Sequence, residues 1–157
     1  MKTQERGVVQ SKTNTVEVII PGETEYLELV RQVVTGMAAK MGMDQDAQDR
    51  LEISVDEACT NIIEHAYAGE RILLKGGKRE EIEIKVLAEK DRLVVSIIDH
   101  GHPFDVREGK RRRIENALKK MNVDGYGLYI INHFVDEVEW KHIPGLGNEL
   151  RLTQYVR

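Results

Sequence analysis

The spacing of hydrophobic residues along the chain changes period several times, and each change marks an element. Thr15 to Ile20 (TVEVII) is a β-branched, alternating run that meets Pro21 and Gly22, which predicts a first strand. From Tyr26 the apolar residues fall at Leu27, Val30, Val33, Val34, Met37, Ala38 and Met41, the spacing of one helical face, and Gly42 ends the helix. Asp44 stands where it can cap a second helix, whose inward stripe is Leu51, Val55, Ala58, Ile62 and Ala66, with Gly69 as its end. EIEIKVL and LVVSIID are two strand patterns joined by AEKD, most simply a hairpin. GLYIINHF predicts a short apolar helix. VDEVEWKHI and NELRLTQYV, linked by PGLG, predict a second hairpin.

The order strand, helix, helix, strand, strand, helix, strand, strand gives helices that need a common sheet on which to bury their stripes. The expected fold is a two-layer α/β (α+β) sandwich: a mostly antiparallel mixed sheet with helices packed on one face. Hairpin-joined strands argue against a doubly wound parallel sheet, which needs repeated crossovers. Residues 1–13 read as a loosely ordered polar tail, and 14–157 as one domain. Residues 100–124 break the periodicity, with HGHPFD, the basic run RRRIENALKK and then VDGYG, and read as a mobile insertion.

Composition narrows the function classes. The chain has 157 residues, enough to bury a core without metals or disulfides, and 23 basic against 27 acidic side chains, a net charge of −4 that offers no overall pull toward nucleic acid. Its single cysteine, Cys59, excludes a disulfide framework within the chain and points to a reducing compartment, with the cytoplasm as the expected location. No apolar run approaches the length that spans a bilayer, so neither membrane nor nucleic acid is an expected partner. No GxxxxGK[ST] loop is present, so any nucleotide is handled without a Walker lysine.

Three stretches carry candidate chemistry. In VDEACTNIIEHAY, Glu57, Asn61 and His65 recur at four-residue intervals, and successive helical residues turn by about 100°, so Glu57 and Asn61 stand one turn apart beside the apolar stripe. A carboxylate there can take a proton from a hydroxyl, and a carboxamide oxygen is a hard neutral ligand for Mg²⁺ beside phosphates. The plainer alternative is two polar residues bonding at a helix border. In DHGHPFD, Asp99 ends a buried strand, where a carboxylate can accept from an exocyclic amine and Gly101 lets a flat ring approach. A glycine turn capped by aspartate explains the same residues. His100 and His102 invite a metal reading but lack further clustered ligands. In DGYGLYIINHF, Gly125 and Gly127 lead into a helix whose N-terminal N–H groups can face a phosphate.

Taken in order, these stretches resemble the GHKL (Bergerat-fold) ATPase superfamily and, within it, the anti-sigma-factor serine/threonine kinases. VDEACTNIIEHAY resembles their N box, DHGHPFD their first glycine box, DGYGLYIINHFVDEVEW their second, and GNELRLTQY their last strand. The resemblance implies ATP and Mg²⁺ as cofactors, Glu57 as general base toward a serine hydroxyl, and Asn61 as the Mg²⁺ ligand. It further implies Asp99 as the reader of the adenine amine, Gly101, Pro103, Phe104 and Asn148 around the base, and His65 at the edge of the site. Gly125, Tyr126, Gly127 and Leu128 would lie at the lid and phosphates. It implies a sigma factor and a phosphorylatable antagonist as partners, and a homodimer. The chain departs from the family pattern at three places: Pro103 replaces a glycine of some members, Val123 and Asp124 stand where some kinases have arginine, and Asn148 stands where threonine is frequent. With that arginine missing, phosphate charge falls to Arg111, Arg112, Arg113, Lys119 or Lys120, unless that run is a solvated helix face. Two alternatives remain: a regulatory binding module without phosphoryl transfer, and a histidine-kinase-type catalytic domain. The expected stand-alone organisation, with no two-helix phospho-acceptor segment ahead of the first strand, favours the serine-kinase branch. A histidine-based metalloenzyme is a third class, predicting stoichiometric transition metal in the purified protein.

Overall fold

The computed structural model describes residues 14–66, 80–101 and 126–157. The described elements are β1 (Asn14–Pro21), a 3₁₀ turn (Thr24–Tyr26), α1 (Leu27–Lys40), α2 (Gln45–Asn61) with a π-helical turn (Ile62–Ala66), β2 (Glu81–Ala88), β3 (Arg92–Asp99), α3 (Tyr126–Phe134), β4 (Glu137–Ile143) and β5 (Gly147–Tyr155). The five strands form one sheet in the order β1-β2-β3-β5-β4, and all four pairings are antiparallel.

Alternation decides which face is covered. On β2, Ile82, Ile84 and Val86 are fully buried while their neighbours are only half-buried, and on β3 Leu93, Val95 and Ile97 join them. Val30, Val34 and Ala38 of α1 and Leu51, Val55 and Ala58 of α2 close over that face as one core. Burying a large aliphatic side chain is worth about 1.5–3 kcal/mol, so this layer is the main source of stability. On the opposite face Lys85 pairs with Glu17 and Glu83, and Arg151 with Glu139 and Glu149. Such half-exposed pairs stabilise little and mainly keep that face soluble.

The helix ends follow from local chemistry. Gly42 adopts φ +79°, which lets Met43 N–H reach Ala38 O (3.1 Å) and Gly42 N–H reach Ala39 O (3.0 Å), closing α1 with both bonds of a Schellman motif. Asp44 Oδ1 then accepts from Ala47 N–H at 2.8 Å and starts α2.

Several boundaries differ from the sequence pattern, each for a physical reason. Pro21 is the last residue of β1, paired with Glu81, rather than a residue beyond it; β1 is an edge strand, where a missing N–H costs no ladder bond. The second helix does not continue as α-helix toward Gly69 but widens after Asn61 into a π turn, and both Ile62 and Ile63 pack against the core there. Gly127 lies inside the first turn of α3, which starts at Tyr126, rather than ahead of the helix. The expected tail over 1–13, the end at Gly69 and the insertion at 102–124 lie outside the described residues.

Candidate functional site

Strand register builds one half of the site. Asp99 faces Asn148 in the β3–β5 pairing, and Asn148 faces His142 in the β4–β5 pairing. Residues opposite one another on neighbouring strands project from the same face. This is the helix-covered face of Ile97, Leu150 and Trp140, so three polar side chains form a row where the apolar layer ends. Asp99 is 6% exposed and Asn148 4%. Asn148 Nδ2 donates to Asp99 Oδ1 (3.0 Å) and to Gly101 O (3.2 Å), while Gly101 N–H donates to Asp99 Oδ1 (2.9 Å). Both bonds to the carboxylate use Oδ1, so among the described residues Oδ2 is the oxygen left for a ligand's donor.

Burial pushes the Asp99 carboxyl above its ordinary range, and the bonds from Asn148 and Gly101 together with His100 and His142 offset part of that rise. The bond from Gly101 N–H is that of an aspartate capping a glycine turn, and this aspartate is held in the interior beside a second buried polar residue. The structure therefore joins Asp99, Gly101 and Asn148, and adds two residues that the sequence pattern did not single out, His142 and Gly147. Gly147 has φ +128°, and a Cβ there would stand 2.3 Å from Asp99 O and 2.9 Å from His100 Nδ1. Only glycine lets β5 come this close to the end of β3.

The other half lies on α2. Glu57 and Asn61 are one turn apart and both half-buried. Burial pushes the Glu57 carboxyl up, and the charges of Asp56 and Glu64 push it further. Arg31 of α1 donates to Asp56 Oδ1 at 2.5 Å and also pairs with Glu28 and Glu52, which ties the two helices together beside Glu57. Asn61 Nδ2 is buried with no partner among the described residues. A buried amide donor left unbonded costs on the order of 1–3 kcal/mol, a cost the fold carries at this position. Cys59 nearby is fully buried, and burial pushes its thiol up to about 12, which makes it inert as nucleophile or ligand.

The donor set suits Mg²⁺. Among the described residues no group of three His, Cys, Asp or Glu could hold a metal by itself. Mg²⁺ characteristically takes one or two protein oxygens and completes its shell with phosphate oxygens and water, which the Asn61 carboxamide oxygen can join. The metal reading of His100 and His102 finds no such cluster around His100, and His102 lies outside the described residues. So do Pro103, Phe104, Gly125, the arginine and lysine run and the side chains of His65, Tyr126 and Leu128. The backbone of Tyr126 to Leu128 forms the first turn of α3. α2 packs over β3 and β5, the two strands that carry Asp99 and Asn148.

An antiparallel sheet roofed on one face by helices, with a buried acceptor at a strand end and a carboxylate–carboxamide pair on the roof, is the plan of a small ATP-using domain. Residues 20–154 match the family model described as the histidine kinase-like ATPase domain, and the chain belongs to that family. It is similar to the serine-protein kinase RsbW of Bacillus thuringiensis subsp. konkukian (strain 97-27), 31% identical over 148 residues that cover 90% of this chain and 85% of the relative. The RsbW of Bacillus pumilus (strain SAFR-032) is 32% identical over 128 residues, 79% of this chain and 76% of the relative. That of Bacillus mycoides (strain KBAB4) is 29% identical over 155 residues, 95% and 89% respectively. No helix among the described residues is long and apolar enough to cross a membrane.

Gly147 gives a direct check on this geometry. Gly147→Ala is expected to cost about 1–3 kcal/mol, because a non-glycine residue is strained at this φ and its methyl overlaps Asp99 O. Urea unfolding measures it, and unchanged stability would mean that β5 does not need this close approach.

Proposed function

We propose that this protein is an ATP-dependent serine-protein kinase and anti-sigma factor of a partner-switching system: it binds a sigma factor and phosphorylates an antagonist protein on serine. The observation that carries the reading is Glu57, a half-buried carboxylate with a raised pKa, standing one turn from the carboxamide of Asn61, whose Nδ2 has no partner among the described residues, in a chain of the ATPase family. A pure nucleotide binder has no need of a base there. The relatives named serine-protein kinase support the same chemistry.

Asp99 accepts the adenine amine through Oδ2 while Asn148 and Gly101 hold Oδ1 in place. The Asn61 carboxamide oxygen would hold Mg²⁺ together with the nucleotide phosphates, where the ion supplies charge neutralisation. Glu57 takes the proton of the substrate serine hydroxyl as its oxygen bonds to the γ-phosphorus. The bond to the β–γ bridging oxygen breaks, and ADP leaves. A base whose pKa is raised toward the working pH transfers a proton more effectively than an ordinary exposed carboxylate. The cytoplasm is the proposed location and a homodimer the proposed assembly.

The test uses γ-labelled ATP and Mg²⁺ with the native protein and a cytosolic protein fraction from its source cells, followed by phosphoserine mapping. Label on the serine of one small acceptor protein is the expected result. ATP binding without any labelled acceptor would replace the kinase with a nucleotide-dependent regulator.

A further inference from the structure

Asn148 occupies the centre of the row Asp99, Asn148, His142, and its amide orientation is fixed by its neighbours. The atom within 3.0 Å of Asp99 Oδ1 and 3.2 Å of Gly101 O faces two acceptors, so it is the NH₂ end. The other end, Oδ1, lies 2.8 Å from His142 Nδ1. Since a carboxamide oxygen only accepts, His142 must donate from Nδ1, and its neutral form is the Nδ1–H tautomer. The imidazole is itself steadied by Trp140, two residues back on the same face of β4, with ring centroids 6.4 Å apart and 17° between planes.

We propose that His142 is a positioning residue of the nucleotide site: by donating Nδ1–H to Asn148 Oδ1 it holds the carboxamide that holds Asp99. The inference rests on Asp99 being the adenine acceptor. Strand β4 is the outer edge of the sheet and pairs with β5, the strand that carries Asn148. His142 is exposed, whereas the two residues it steadies are buried. A donor on the rim thus fixes an acceptor in the interior through one amide. Without it, Asn148 Oδ1 loses the bond from His142, the carboxamide gains rotational freedom, and the contact that aims Asp99 becomes intermittent. The departure from the family pattern at Asn148 acquires a reason: a threonine hydroxyl lacks the two-ended reach that links β4 to β3.

Calorimetric titration of Mg²⁺–ATP separates the possibilities. His142→Phe keeps the ring stack but removes the donor, and is expected to weaken ATP binding about 3- to 10-fold, the worth of one hydrogen bond. His142→Asn places an amide donor near the Nδ1 position and is expected to bind within about twofold of native, since the bond it restores is of the same kind. In an Asn148→Ala background His142→Phe is expected to lose most of its effect, because its hydrogen-bonded route to Asp99 is gone and only a weaker through-space influence is left. Nitrogen NMR of the neutral imidazole is expected to show Nδ1 protonated. Native affinity in the phenylalanine variant, equal weakening in both variants, an undiminished effect without Asn148, or an Nε2–H tautomer would each overturn the proposal. If His142→Phe does not fold, His142→Leu carries the same test. Failure of native folded protein to bind ATP would instead overturn the nucleotide reading, and this inference with it.

Discussion

Glu57→Gln is expected to lower serine phosphorylation by about 10²- to 10⁴-fold, the usual worth of a positioned general base, while leaving ATP affinity within about twofold of native. Glutamine keeps the shape of the side chain but cannot hold the serine proton. Asn61 and the Asp99 row, the proposed nucleotide contacts, are unchanged. The pH dependence follows from the raised pKa: the base must be ionised, so transfer by the native protein falls as the pH drops through a value above the ordinary carboxylate range. In the glutamine variant the residual rate is expected to lack that acid limb. The same shift has a consequence for folding. Glu57 favours its neutral form in the folded state, so its contribution to stability is present at low pH and is lost as pH rises through the raised pKa. Glutamine mimics the neutral form and is expected to melt no lower than native at neutral pH. Single-turnover transfer across pH measures the first effect and thermal unfolding the second. Transfer retained within tenfold, with the acid limb intact, would assign the base to another group.

Glu57 and Asn61 were legible in the sequence because an α-helix converts a four-residue spacing directly into a shared side, and Asp99 because a strand that ends in DHG has to place its last carboxylate somewhere definite. The core stripes of α1 and α2 were legible for the same local reason. His142 was not, because its role depends on a register one residue finer than the pattern supplies. PGLG taken as a four-residue link sets Ile143 opposite Asn148. The structure closes the hairpin with Pro144, Gly145 and Leu146 alone, Gly145 at φ +82°, so that Ile143 pairs with Gly147 and His142 with Asn148. A slip of one residue moves every side chain of a strand to the other face. It would have sent His142 away from the row. The signal was present in the pair Pro144-Gly145, since a type II turn favours proline and then a left-handed glycine at its two central positions and here closes with Leu146 N–H on Ile143 O, and in the glycine at 147, which no ordinary last strand requires. The π turn after Asn61 was hidden for a different reason: Ile62 and Ala66 fit an α-helical stripe, and only packing of Ile63 as well shows that the turn has widened. Such turns occur often beside functional groups, because the extra residue re-aims what precedes and follows it.

Asp99→Asn separates the capped-turn reading from the ligand reading, because the two predict opposite pairs of results. Asparagine Oδ1 can still accept from Gly101 N–H and Asn148 Nδ2, so both structural bonds survive. What changes is the second position, where an acceptor becomes an NH₂ donor facing the adenine amine. Loss of a hydrogen bond to a charged group costs about 1.5–3 kcal/mol, so ATP binding is expected to weaken at least about tenfold, and further through the donor–donor contact. Stability is expected to move the other way. Burial raises the Asp99 pKa, so the folded state binds this proton more tightly than the unfolded chain does. Its contribution to stability is therefore lost as pH rises through that value, and at neutral pH the ionised carboxylate is a cost. Asparagine removes the cost, and a gain in stability at pH 7 is expected. For a chain of this length each kcal/mol raises the melting temperature by roughly 2–4 °C. The gain should shrink as pH falls and the native carboxyl protonates. A variant that melts higher and no longer binds ATP marks a residue kept charged and buried for its ligand, whereas one that melts lower and binds ATP normally would make Asp99 the cap of a turn and place the adenine elsewhere.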